Sequence, residues 1–343
     1  VILALKPHTT TEHIQELTAY LSANSIRFMH IVRKGLIVLP DQNAYELKDR
    51  FHCIESAAYT TQSYPLASAE WRSETLIEVG NKIIGADEFT MIAGPCSVEN
   101  EDQIFAIAEY LSSRGVTFIR GGAYKPRTSP YSFRGLGKNG LILLNKAARA
   151  YNLKVVTEIM DLQLMDEMLE YADVLQVGSR NMQNFYMLNE LGKTDKPVLL
   201  KRGMHAKVKE WLLAAEYILS GGNENVVLCE RGIRSFDNET RNVMDIGVIP
   251  LIQQLSHLPI IADPSHGTGE ASRVTALSLA AAAAGADGLL VEVHPNPEKA
   301  LSDKQQALNF DQFDTLLEQL NALLPALNKK AHTQSGIFKL QTL

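Results

Sequence analysis

The chain has 343 residues, 45% of them hydrophobic, which is enough for one large packed domain or for a large one with a small companion. A formal net charge of −6 argues against a general nucleic-acid binder. No run approaches the roughly 18 apolar residues of a membrane span and the N-terminus lacks the regions of a signal peptide, so a cytoplasmic protein is expected. Three cysteines, Cys53, Cys96 and Cys229, cannot all pair, and their spacing offers neither a zinc finger nor a CxxC motif.

The first sixty-odd residues read as strand (Ile2 to Leu5), helix (Thr11 to Ser22), strand (Phe28 to Val32), a turn at Lys34-Gly35, strand (Leu36 to Leu39), helix (Ala44 to Phe51) and strand (Ser56 to Thr61). That is the βαββαβ order of a ferredoxin-like, ACT-like module, with Asp41 and Asn43 as caps for its second helix. Nothing periodic runs from Gln62 to Glu74, which suits a linker. A hairpin pattern from Leu76 to Ile84, with Gly80-Asn81 at its turn, could plug one end of a barrel. These observations set a module at 1–64, a linker at 65–75, a catalytic barrel at 76–330 and a tail at 331–343.

From residue 90 onward short apolar runs alternate with amphipathic helical stretches. The expected strands are Thr90 to Pro95, Phe118 to Gly121, Lys154 to Glu158, Val174 to Val177, Pro197 to Lys201, Val226 to Cys229, Pro259 to Ala262 and Leu289 to Val293. The last two helices are expected from Glu270 to Ala284 and from Asp311 to Leu324. About eight β-then-α units over roughly 250 residues is the count of an α/β fold of the (β/α)₈ TIM-barrel type, whose chemistry sits where strands run into the following loops.

Those strand ends are non-random. The first ends in Gly94-Pro95-Cys96, the seventh runs into Asp263-Pro264-Ser265-His266, and the eighth carries Glu292 with Asp303 following. Closure makes the seventh, eighth and first strands neighbours, so a thiolate, an imidazole and two carboxylates converge. Mixed S, N and O donors suit one borderline divalent ion, Mn²⁺, Fe²⁺, Co²⁺ or Zn²⁺. Singly, each residue has a bland explanation as a buried cysteine, a solvated histidine or a paired glutamate. The other strand ends carry cations: Arg120, Lys125, Arg127, Arg134, Arg180, Lys201, Arg202, Arg231 and Arg234. In a net-acidic chain such a cluster calls for more than one phosphate or carboxylate, because unpaired cations repel and are costly to desolvate.

With Ala93-Gly94-Pro95-Cys96-Ser97, Arg120-Gly121-Gly122-Ala123-Tyr124-Lys125-Pro126-Arg127-Thr128-Ser129, Lys201-Arg202-Gly203, Cys229-Glu230-Arg231-Gly232 and Asp263-Pro264-Ser265-His266 in view, the sequence closely resembles the 3-deoxy-D-arabino-heptulosonate 7-phosphate (DAHP) synthases. The form it looks like is type I β with an N-terminal regulatory domain. The resemblance implies condensation of phosphoenolpyruvate with erythrose 4-phosphate, the first step of the shikimate route. It implies metal ligands Cys96, His266, Glu292 and Asp303, and phosphoenolpyruvate held by Arg120, Lys125, Arg180, Lys201 and Arg231. The Lys125-Pro126-Arg127-Thr128 segment would receive erythrose 4-phosphate. It further implies a homotetramer and feedback inhibition by tyrosine or phenylalanine at the N-terminal module.

The chemistry accounts for the residue types. A metal Lewis acid would polarise the aldehyde, Lys125 is a candidate proton donor to the new alkoxide, and Glu158 could position or deprotonate the water that adds to phosphoenolpyruvate C2. The nearest rival is the sister synthase that makes 3-deoxy-D-manno-octulosonate 8-phosphate from arabinose 5-phosphate, whose loop typically reads KANR. Lys125-Pro126-Arg127-Thr128 and the added module favour the four-carbon acceptor. A metabolite sensor with a relic barrel is the rival from another class, and the intact set of metal-ligating types argues against it.

Overall fold

The computed structural model of the chain describes residues 1–40, 47–125, 129, 131–237 and 239–331. It begins with β1 (Ile2–Leu5), α1 (Thr11–Ala23), β2 (Met29–Ile31), β3 (Leu36–Val38), α2 (Leu47–Arg50) and β4 (Ile54–Ala58). The four strands form an antiparallel sheet in the order β2-β3-β1-β4, compatible with the ferredoxin-like order expected. Thr10 caps α1 by accepting from the His13 amide, and Leu17 and Leu21 turn one face of that helix onto Leu3, Leu5, Ile37 and Ile54. The last strand starts and ends earlier than the sequence suggests, because Ile54–Ala58 pairs with β1 across an irregularity at Ala4/Leu5. Asp41 and Asn43, the expected caps, lie outside the described residues.

A hairpin follows, β5 (Ile77–Val79) and β6 (Lys82–Ile84), and then the barrel strands β7 (Glu88–Gly94), β8 (Phe118–Arg120), β9 (Lys154–Glu158), β10 (Val174–Val177), β11 (Val198–Lys201), β12 (Val226–Glu230), β13 (Ile260–Ala262) and β14 (Gly288–Glu292). All eight pair in parallel in sequence order, and β14 closes on β7 with Gly288 opposite Thr90 and Glu292 opposite Gly94. This is a (β/α)₈ barrel, so every strand delivers its last residue to one face. Its outer helices are α3 (Glu101–Ser113), α4 (Lys138–Ala150), α5 (Met165–Tyr171), α6 (Phe185–Gly192), α7 (Val208–Ser220) and α8 (Val248–Leu255), then a short α9 (Pro264–Thr268), α10 (Ala271–Ala283) and α11 (Phe310–Leu323). Among the described residues no helix is long and apolar enough to cross a membrane.

Two apolar layers divide the labour. The larger one lies between strands and helices. The smaller holds inward-facing Ile92, Phe118, Val156, Val174, Leu199, Val227, Ile261 and Leu290 in one cluster with Ile77, Val79 and Ile84 of the hairpin. The β5–β6 hairpin therefore stoppers the N-terminal end of the barrel, and the turn at Gly80, with φ +63°, passes against the Lys154 stem at the start of β9. Past α11 the chain returns as β15 (Lys330–Ala331) beside β7, where Lys329 donates to Asp287 at 2.8 Å and to the Ala86 carbonyl.

The segment joining sheet to barrel is fastened at both polar faces of one residue. The Glu216 carboxylate on α7 accepts from the amides of Leu66 (3.0 Å) and Ala67 (2.9 Å), while His257 Nε2 lies 2.7 Å from the Leu66 carbonyl and its Nδ1 2.7 Å from Thr75 Oγ1. Lys34 of the sheet and Arg72 of the joining segment both pair with Glu224.

Burial of Glu216 outweighs its two amide donors and pushes the carboxyl up to about 7. A carboxyl raised on folding takes up a proton, so this group's contribution is fully present below the ordinary glutamate pKa and falls as pH rises toward 7, by about 1.4 kcal/mol per unit. Denaturant unfolding at about pH 5 and pH 8 is expected to show a steeper loss of stability for the native chain than for Glu216→Gln. Equal pH slopes would remove Glu216 as the titrating clamp.

Candidate active site

Four side chains from three neighbouring barrel units meet at one corner of the mouth. Cys96 follows β7, where Gly94 takes φ +148° and a Cβ would lie 2.1 Å from the Arg120 carbonyl, so only glycine lets β7 and β8 approach this closely. Glu292 ends β14, and Asp303 sits in the loop beyond it with φ +46°. One ligand atom each of Cys96, Glu292 and Asp303 lies within 4.8 Å of the others. His266 joins them from α9, with Nε2 3.6 Å from Glu292 Oε1. The Cys96 thiol donates to Asp303 Oδ2 at 3.0 Å. Burial first, and then the Glu292 charge, push that thiol up to about 11, so at neutral pH it holds the proton. A cysteine, a histidine and two carboxylates around a buried proton form a donor set that fits a borderline divalent ion, which would take the proton's place.

The expected anion-binding residues are distributed less uniformly than their sequence positions suggest. Arg120 is buried and already engaged: Nη1 donates to Glu292 Oε1 at 2.9 Å and to the Pro95 carbonyl at 2.8 Å, while Nε is buried with no partner among the described residues. Lys201 is buried on Asp263 Oδ2 at 2.5 Å. Arg231 is buried with one donation to the Gly232 carbonyl, and desolvation lowers its pKa although Asp263 and Glu230 pull the other way. Arg180, past β10, is exposed. Arg202 is buried and already engaged by Glu230 (2.9 Å) and Asp245 (3.1 Å), with its guanidinium 6.0 Å from the Trp211 ring centroid and Nε donating to the Ala206 carbonyl.

Lys125 Nζ donates to the Cys96 carbonyl at 2.9 Å, which places it against the metal-type corner. Its stem crosses Gly122, where a Cβ would stand 2.6 Å from Lys125 Cδ. Glu158, at the end of β9, accepts from Gln176 Nε2 at 3.2 Å, and Gly178 leaves it room, since a Cβ there would lie 2.0 Å from Oε1. Pro126, Arg127 and Thr128 lie outside the described residues.

Several participants have no expected role in the sequence reading. Gln306 donates to Glu292 Oε2 at 2.7 Å and accepts from Arg241 at 2.8 Å. Ser265 Oγ accepts the Glu292 amide at 2.9 Å. Asp263 caps α9, its Oδ1 accepting from the His266 amide at 3.0 Å while Oδ2 lies 2.7 Å from His266 Nδ1. Burial opposes charge on Asp263, but His266 and Lys201 prevail and hold it well below the usual carboxylate range. Aspartate followed by proline is a helix-start signal, and it marks both α9 and this carboxylate.

A family model described as the DAHP synthetase I family matches residues 65–329. A phospho-2-dehydro-3-deoxyheptonate aldolase of Thermotoga maritima is 45% identical over 97% of this chain and 100% of its own. A 2-dehydro-3-deoxyphosphooctonate aldolase of Syntrophobacter fumaroxidans is 32% identical over 71% of this chain and 90% of its own. Among solved structures, the Thermotoga maritima DAHP synthase matches with a TM-score of 0.78, covering 96% of this chain and 98% of that one at 45% identity. A truncated form of 3-deoxy-D-arabino-heptulosonate 7-phosphate synthase from the same organism matches with a TM-score of 0.74 at 47% identity, covering 78% of this chain and 99% of that one.

The Arg120–Glu292 pair is fully desolvated, so removing one partner strands the other. Glu292→Ala is expected to cost about 3–5 kcal/mol in denaturant unfolding. A loss below about 1 kcal/mol would mean that the pair is not held in the folded chain.

Proposed function

The chain belongs to the DAHP synthetase I family, and from that membership and the mouth geometry we propose that it condenses phosphoenolpyruvate with erythrose 4-phosphate and water to give 3-deoxy-D-arabino-heptulosonate 7-phosphate and inorganic phosphate. The single observation that carries the reading is the convergence of Cys96, Glu292 and Asp303, with His266 beside them, next to buried Arg120 and Lys125.

Cys96, His266, Glu292 and Asp303 would hold one divalent ion, Mn, Fe, Co or Zn. When bound, it supplies Lewis-acid polarisation of the aldehyde carbonyl. Arg120, Lys201, Arg231 and Arg180 hold the phosphate and carboxylate of phosphoenolpyruvate and turn its enol carbon toward the aldehyde, for which fixed guanidinium forks are suited. The unpartnered Nε of Arg120 is a donor still to be used. Lys125 donates a proton to the oxygen of the former aldehyde as the carbon–carbon bond forms. Glu158 holds the water that adds to C2, after which the C–O bond to phosphate breaks. Pro126, Arg127 and Thr128 receive the aldose phosphate. The higher identity and fuller coverage of the Thermotoga relative, set beside the octonate aldolase, support the four-carbon acceptor over arabinose 5-phosphate.

The N-terminal sheet, residues 1–64, is read as a ferredoxin-like regulatory module that takes an aromatic amino acid, tyrosine or phenylalanine, in a homotetramer. The Lys34–Glu224 pair, with Glu216 holding the joining segment at Leu66, would give it a mechanical route to the barrel.

Phosphate release from phosphoenolpyruvate is expected with erythrose 4-phosphate and to vanish with chelator; release only with arabinose 5-phosphate would transfer the chain to the octulosonate reaction. Lys125→Met and Glu158→Gln are expected to lower kcat by about 10²–10⁴ with ion content unchanged, and near-normal turnover would remove those two roles. Added tyrosine or phenylalanine is expected to inhibit the full chain but not the chain lacking residues 1–64. Inhibition that survives the deletion would put the effector on the barrel.

A further inference from the structure

Asp263 has no solvent exposure, and its Oδ2 serves two cationic or donor groups at once, Lys201 Nζ at 2.5 Å and His266 Nδ1 at 2.7 Å. Oδ1 is separately committed to the His266 amide at 3.0 Å. One carboxylate thus caps the His266 backbone and lies against its ring, with Nε2 turned toward Glu292. His266 Nδ1 is buried, and although Oδ2 is at contact distance it lies off the N–H direction, so Nδ1 has no aligned acceptor among the described residues. Such contacts are commonly loose before a ligand is bound and tighten with it.

We propose that Asp263 is a positioning residue: it keeps the proton of His266 on Nδ1, leaving the Nε2 lone pair for the Cys96–Glu292–Asp303 corner, with Lys201 as its permanent buried counter-charge. The inference rests on the metal-site reading above and extends it to a residue that touches neither ion nor substrate. A carboxylate behind a ligating imidazole fixes the tautomer and raises the basicity of the ligating nitrogen. Asparagine cannot replace it. Its single oxygen and its NH₂ must share three donors, so an N–H faces either the His266 amide or the Lys201 and Nδ1 side. The second arrangement drives His266 to the Nε2–H tautomer, which has no lone pair for a cation. Lys201 also places the same carboxylate between the anion-binding and ion-binding sectors of the mouth.

The test compares the full native chain, Asp263→Asn and, as a control, Asp173→Asn. Asp173 holds the Val155 amide at 2.7 Å and Arg149 at 3.0 Å at the opposite end of the barrel. Mn²⁺ binding is measured by titration calorimetry, and the His266 tautomer by nitrogen NMR of histidine-labelled chain, assigned with His266→Gln. Asp263→Asn is expected to weaken Mn²⁺ binding about 10- to 100-fold and to lose the Nδ1–H signature, while the control keeps both. Mn²⁺ bound equally by the native chain and Asp263→Asn overturns the inference and leaves the proposed reaction standing. A native chain that binds Mn²⁺ but releases no phosphate from its two substrates overturns the reaction, while Asp263 is still judged by ion binding and tautomer. Should Asp263→Asn fail to fold, the native chain decides alone: Nδ1–H supports the inference and Nε2–H overturns it.

Discussion

Three carboxylates, Glu230, Asp263 and Glu292, end or follow three adjacent strands with no solvent exposure at all, and each has a cation buried against it, respectively Arg202, Lys201 and Arg120. Desolvating a carboxylate costs several kcal/mol, and only a close partner with further hydrogen bonds offsets that. The mouth of this barrel is therefore an ion-paired lattice, and its side-chain geometry follows from that electrostatic requirement. Glu292 cannot relax toward water because Arg120, Gln306 and the Ser265–Glu292 amide contact fix both its side chain and its strand end. Arg120, in turn, cannot swing out toward a ligand without leaving Glu292 unpaired.

This lattice changes what the cluster of cations means. Counting lysines and arginines at strand ends suggests a large positive surplus awaiting phosphates. Much of that charge is already balanced by internal carboxylates, and Arg202 is engaged by Glu230, Asp245 and the Ala206 carbonyl. What remains for the proposed ligand is narrower: the unpartnered Nε of Arg120, the further N–H groups of Lys201, Arg231 with one carbonyl partner among the described residues, and exposed Arg180. Under the proposed function a substrate anion would complete partly satisfied groups instead of neutralising a bare patch, a preorganised arrangement of the kind that favours catalysis.

The barrel is legible in the sequence because parallel strands buried on both faces read as short apolar runs, and eight of them alternate with helical patterns. Cys96, His266, Glu292 and Asp303 are legible for the same reason, since closure alone makes the units that carry them neighbours. The ion pairs are not. Lys201 and Asp263 are 62 residues apart and Arg120 and Glu292 are 172 apart, and no local pattern announces which cation belongs to which carboxylate. The short α9 reads as loop despite its Asp263-Pro264 helix-start pair, because five residues are too few to show a helical period, and the aspartate beside a candidate ligand then looks like a bystander. At the N-terminal sheet, period-two alternation locates the last strand but not its register, which is decided by the irregular pairing at Ala4/Leu5.

The two ends of the barrel solve the problem of filling its interior by opposite means. At the N-terminal end Ile77, Val79 and Ile84 close the bore with apolar side chains that ask only for volume and tolerate exchange among similar shapes. At the C-terminal end the bore is filled by charges whose partners are fixed in number and direction, so no single member can be changed without orphaning another. The joining segment follows the second pattern, for Glu216 and His257 grip Leu66 by amide and carbonyl, and Glu224 ties Lys34 and Arg72 together. Apolar packing thus supplies the stiffness of the scaffold. Directional polar contacts then fix particular positions, at the mouth and where the joining segment meets the barrel, and at the N-terminal sheet they work beside the apolar packing of Ile2, Ile31, Leu36 and Val38.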